Sequence, residues 1–234
     1  MPHALRVAGW ATLGFAIAFF VTFVVNAIMN MSSSGPDYPT AAEMTADVGS
    51  GIVFMLMWGT AGAALVVAAV GLPAVVWPAD ALASRIATAF GIIAAGGWIV
   101  SGVNGFAQRT ALLNGNIAGA GADAAAERAV VEGLFIGVHT GGILFAFAAV
   151  PWLAIVAVGA AGRRAMSKVA ISFLWIAAVL PLAGFLVSGL QFGLLAVLVG
   201  FAVVGASLLR RARKAVRATD AVASASAGAT APAA

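Results

Sequence analysis

The chain has 234 residues, 63% of them apolar and 9% charged, with a formal net charge of +4. Soluble domains carry about 25% charged residues, so this composition excludes a soluble globular domain and a disordered chain alike. Mean hydropathy is +1.08, and cysteine is absent, which excludes a disulfide framework, a thiol nucleophile and a thiolate metal site.

A helix that crosses about 30 Å of hydrocarbon needs about 20 mostly apolar residues. The predicted spans, in chain order, are about 10–29, 52–77, 86–106, 133–158, 169–187 and 192–209. The first run is longer than the roughly 7–15 apolar residues of a signal peptide core, so it is read as a retained anchor. Pro73 and Pro78 end the second span, and Trp10 and Trp77 mark interface positions. Between spans one and two, Ser32–Pro36 is a turn-rich breaker. Between spans three and four, Asp123 is placed to cap a helix that runs through Ala124–Glu132 into span four. The apolar stretch Val169–Leu209 would be about 60 Å long as a single helix, twice the bilayer. It is therefore divided at a turn over Ser188–Gly193, with Pro181 kinking the fifth helix. Residues 218–234 are Ala, Ser, Thr and Pro with one Asp, and disorder is expected there. The fold class is thus all-α: one polytopic domain over 1–217, a bundle of six transmembrane helices, and a tail.

Charge sets the orientation, because Lys and Arg remain on the cytoplasmic side. With the N-terminus inside, the inner segments hold Arg6, Arg85, Arg163, Arg164, Lys168, Arg210, Arg211, Arg213, Lys214 and Arg217. Only Arg109 and Arg128 fall outside, together with six of the eight acidic residues. A single crossing over Val169–Leu209 would put the basic Arg210–Arg217 run outside, so charge also favours six spans with both termini cytoplasmic. Arg outnumbers Lys ten to two and Ala, Gly and Val dominate, which suggests a GC-rich bacterium and its plasma (inner) membrane.

Residues four apart share a helix face. Gly97, Ser101 and Gly105 form such a stripe on span three, and Gly133, Gly137 and Gly141 form one on span four. Small residues at this spacing let membrane helices approach closely, so spans three and four are expected to be neighbours. Span one carries Gly14, Ala18, Thr22, Asn26 and Asn30 at the same spacing.

The polar residues in or bordering the spans gather toward the outer side. Asn26, Asn30, Asn104, Gln108, Glu132, His139 and Gln191 outline a candidate ligand or partner pocket. An ionisable residue inside a span is a functional hypothesis, although a neutral His139 bonded to a backbone carbonyl or to Glu132 is the favoured reading. No catalytic residue, cofactor or metal site is identified. The single intramembrane His does not provide bis-His haem ligation or a structural zinc site, and no nucleophile-elbow, phosphate-loop or zincin motif occurs.

The leading reading is a non-enzymatic accessory or assembly subunit, or scaffold, of a larger membrane complex. The second is a small transporter or lipid or hydrophobic-ligand binding protein that uses the outward polar pocket. The third is an intramembrane enzyme with Glu132 and His139 as an acid–base pair. Expected partners are the bilayer, a membrane protein or a second copy of the chain, and anionic lipid at Arg210, Arg211, Arg213, Lys214 and Arg217. That basic run has no interleaved aromatics, so nucleic acid is not expected.

Overall fold

Six α-helices make up the described part of the chain in the computed structural model. The structure describes the backbone of residues 2–31, 48–113, 124–187 and 191–229, and most side chains within 2–24, 55–104, 140–184 and 193–221. The helices are α1 (Pro2–Met31), α2 (Val48–Val76), α3 (Leu82–Leu113), α4 (Ala124–Gly162), α5 (Lys168–Val187) and α6 (Gln191–Ala229).

Five of them, α1 to α4 and α6, contain stretches long and apolar enough to cross a membrane. Large apolar side chains such as Phe20, Val70, Ile93, Phe147, Val179 and Val199 are exposed around the bundle. A surface of that kind is unfavourable in water and suited to lipid. The chain is a multi-pass membrane protein by its composition and its helices.

Most helices outrun the apolar segments that announce them. Inside lipid every backbone N–H and C=O must be satisfied within the helix, so helical structure continues until water can take over at the interface. The largest difference is at the C-terminal end. The helix continues to Ala229, where the sequence suggests disorder from Ala218 onward. Its Ala-rich composition explains the difference, because Ala has the highest helix propensity. Residues 230–234 lie outside the described residues.

Val169–Leu209 is divided between two helices, with the connection at residues 188–190 outside the described residues. Gly193 lies against Pro181, where an added Cβ would come within 2.7 Å of the Pro181 Cα. Further along, Gly200 faces Phe173 and Ala177. These pairings run in opposite directions along the two helices, so α5 and α6 are antiparallel.

Each helix packs against its neighbours in the chain, and α6 returns to pack against α1. The result is a closed ring of six helices, with α2 and α4 also touching across it. Its inter-helix faces are rich in buried alanine, including Ala8, Ala61, Ala69, Ala94, Ala149 and Ala177. Lipid tails are as apolar as leucine, so no hydrophobic force holds the helices together. Association depends on close backbone approach and dispersion. The α3–α4 pair, which makes the most extensive contact, shows how this works. A Cβ on Gly97 would lie 2.7 Å from the carbonyl oxygen of Gly141 and 2.8 Å from the backbone nitrogen of Phe145. The reciprocal Cβ on Gly141 would strike the Gly97 carbonyl and Ser101. The α1–α6 pair closes the ring in the same way: a Cβ on Gly205 would lie 2.9 Å from the Gly9 carbonyl oxygen and 2.8 Å from the Leu13 nitrogen.

Aromatic side chains fill the space inside the ring. Trp98 of α3 stacks on Trp58 of α2 with ring centroids 4.6 Å apart. It meets Phe15 and Phe19 of α1 edge-on at 5.2 and 4.8 Å, and Phe145 of α4 at 5.5 Å. Phe201 of α6 joins Phe15 to Trp152 of α4. Five of the six helices therefore contribute to one aromatic plug. Thr12 and Thr22 turn their hydroxyls back onto the carbonyls of Ala8 and Ala18 at 2.6 and 2.8 Å, which satisfies them without a partner helix.

Two adjacent glycines separate packing from helix propensity. Gly97 sits at the backbone crossing, whereas a Cβ on Gly96 meets nothing within 4 Å. Gly97→Ala is expected to destabilise the protein by about 1–3 kcal/mol, because backbone atoms cannot rotate out of the way. Gly96→Ala is expected to be neutral or to stabilise it by up to about 1 kcal/mol. Thermal unfolding of both variants in mild detergent checks the pair, and equal effects would contradict the assigned crossing.

Candidate functional site

The antiparallel ring gathers the second ends of α1, α3 and α5 with the first ends of α2, α4 and α6. The polar residues singled out from sequence belong to this end. Asn104 of α3 is half-buried and has an interaction partner. The side chains of Asn26, Asn30, Gln108, Glu132, His139 and Gln191 lie outside the described residues, and so do the surroundings of Gly105, Gly133 and Gly137. Of the packing residues, Gly97, Ser101 and Gly141 meet at the α3–α4 crossing.

The opposite end of the ring is basic, and its geometry is described in full. Trp77, just past α2, reaches across to α4. Its indole N–H donates to the Ile155 carbonyl at 3.2 Å, and its ring lies over Gly159. The Arg163 guanidinium sits 5.4 Å from the centre of that ring, a cation–π arrangement. Sequence reasoning gives Trp77 only an interface role; in the structure it clamps the end of α2 onto the end of α4.

The end of α4 is a Schellman cap. The Ala165 N–H donates to the Ala160 carbonyl at 2.9 Å and the Arg164 N–H to the Ala161 carbonyl at 3.3 Å. This motif needs a left-handed residue at the position held by Arg164, whose φ is 50°. Glycine takes that conformation without penalty, while a residue with a Cβ gives up roughly 1–2 kcal/mol. The turned backbone presents the Arg164 carbonyl to Arg211 of α6, whose Nη1 donates to it at 2.8 Å. Two residues on, Met166 is buried. Ser167 then caps α5, its Oγ accepting from the Ala170 N–H at 3.2 Å.

These features border an open groove of about 670 Å³ between the α4–α5 connection and α6. Arg164, Arg210, Arg211 and Lys214 supply four positive charges to its lining, and among the described residues no carboxylate lines it. Met166, Val169, Val203 and Ala206 form an apolar wall. On α6 the positions 203, 207, 210 and 214 share one face, so one helical stripe runs from apolar to cationic. Arg213 and Arg217 belong to the same basic run but do not line the groove. The α6 half of this cluster is legible as a basic run; the contribution of Arg164 is not, because only the cap conformation brings it there.

The chain matches no family model, no curated protein and no solved structure. The site therefore rests on its own residues. Among the described residues no three His, Cys, Asp or Glu side chains gather as metal ligands.

Replacing Arg164 by glycine removes the left-handed penalty but loses a favourable cation at a helix C-terminus, worth about 0.3–1 kcal/mol. The first effect is the larger, and the backbone carbonyl that holds Arg211 is kept. Arg164→Gly is expected to raise stability by roughly 0.5–1 kcal/mol. Thermal unfolding in detergent measures it, and a clear loss would contradict the cap as described.

Proposed function

We propose that this chain is a non-enzymatic, six-span protein of a bacterial plasma membrane with both termini cytoplasmic. In this reading it serves as an accessory or assembly subunit, or scaffold, of a larger membrane complex. The observation that carries the reading is the aromatic plug. Phe15, Phe19, Trp58, Trp98, Phe145, Trp152 and Phe201 occupy the centre of the ring. A transport pathway along the ring axis would have to displace close-packed aromatic rings contributed by five helices. Such a core suits a protein that presents its outer surface to partners.

The sixth span is α5. Its 20 residues give about 30 Å of helix, the thickness of the hydrocarbon. With α5 crossing, the short connections at 77–81 and 163–167 and the basic stretch of α6 fall on one side. The distribution of Lys and Arg makes that side the cytoplasmic one.

Purification of the tagged protein from its native membranes in mild detergent, followed by native mass spectrometry, tests the role. The expected result is a stoichiometric complex with another membrane protein or with further copies of this chain. A monomer without protein partners would contradict it, and a monomer carrying a defined small mass other than a phospholipid would favour a ligand-binding role for the polar end.

A further inference from the structure

We propose that the groove between the α4–α5 connection and α6 is a binding site for the headgroup of an anionic phospholipid. The proposal rests on the spanning reading above, which sets the groove at a membrane surface, and needs no protein partner.

Three observations point to an anion. The first is the convergence of Arg164, Arg210, Arg211 and Lys214 around one open space whose described lining residues include no carboxylate. The second is local conflict. Arg210 and Lys214 are like charges four apart on one helix face, an arrangement that weakens a helix. The third is Arg164 itself, which takes a left-handed conformation that favours glycine. Orientation in the membrane requires only enough positive charge on one side. It does not require a left-handed arginine or convergence on a groove. An anion held between these side chains offsets the repulsion of Arg210 and Lys214 and gives the Arg164 guanidinium a partner that glycine could not supply.

The shape of the groove selects a lipid over a soluble anion. From Val203 to Lys214 is about 16 Å along α6, a path that starts among apolar residues and ends among cations. Val169 and Val203 line the wall on the hydrocarbon side, and Val169 is exposed. An acyl chain lies naturally along this wall while the phosphate sits between Arg164, Arg210 and Lys214. Arg211 is already oriented by its bond to the Arg164 carbonyl, which reduces the ordering that binding demands.

Native mass spectrometry of the full chain in neutral detergent, with added phosphatidylglycerol or phosphatidylcholine, tests the site. Orientation does not enter, since both ends of the protein are accessible in a micelle. Phosphatidylglycerol is expected to be retained in preference to phosphatidylcholine. Arg210→Gln with Lys214→Gln is expected to reduce that retention by roughly fivefold for each charge removed. Arg213→Gln with Arg217→Gln removes the same charge from outside the groove and is expected to change retention by less than about twofold. Arg164→Gly is expected to lower retention without lowering thermal stability, a combination that misfolding cannot produce. Equal retention of the two lipids, or equal losses from the two double variants, would overturn the groove as a lipid site. Displacement of phosphatidylglycerol by millimolar inorganic phosphate would overturn the lipid as its occupant.

Discussion

Everything in this structure follows from the lack of a hydrophobic force between helices already surrounded by hydrocarbon. Holding such helices together requires backbones to approach until dispersion becomes significant. The approach of Gly97 to Gly141 and of Gly205 to Gly9 meets that requirement on opposite sides of the ring. Alanine supplies much of the remaining interface, joined by buried leucines and valines such as Leu65, Leu153 and Val204, while other large aliphatic residues such as Val70 and Ile93 face outward. A ring built this way still leaves space along its axis, which small residues cannot fill. The aromatic plug centred on Trp98 fills it, and its rings meet edge-on or tilted, as their quadrupoles prefer, except for the stacked Trp58–Trp98 pair.

The two ends of the ring differ in chemistry. At the basic end, short connections are fixed by specific contacts: the Trp77 indole on α4, the Schellman cap at Arg164 and the Ser167 cap on α5. At this end the Arg163 guanidinium lies over the Trp77 ring and the Arg211 guanidinium is held by the Arg164 carbonyl. A flexible polybasic tail attracts anionic lipid through charge alone. In the proposed lipid site, a groove with an apolar wall and a guanidinium held by the Arg164 carbonyl would add shape to that attraction.

Much of the fold was legible in the sequence, because a membrane imposes few rules and imposes them strongly. Length and hydropathy located the apolar segments. The excess length of Val169–Leu209 required a break, and the two helices on either side of residues 188–190 supply it. Helix ends were less legible, since hydropathy reports the hydrocarbon boundary and hydrogen bonding reports where the helix stops; α6 reaching Ala229 is the clearest case. Spacing alone also misdirects. Gly14 lies on the small-residue stripe of α1 yet meets nothing within 4 Å, and the tight crossing with α6 is at Gly9. A glycine's neighbour belongs to another helix, and periodicity within one helix does not locate it. Arg164 is a similar case, since nothing in the string Gly-Arg-Arg-Ala says which arginine takes the left-handed position.

The account depends on six crossings with the basic end in the cytoplasm. The chain contains no cysteine, so single cysteines report topology without background. Ala79→Cys, Ala161→Cys, Ala221→Cys and Ala120→Cys would be probed in intact cells with a membrane-impermeant maleimide. With six crossings and a cytoplasmic basic end, Ala120→Cys is expected to react from outside, while the other three react only after permeabilisation. Labelling of Ala221→Cys from outside would remove the sixth crossing and contradict the account.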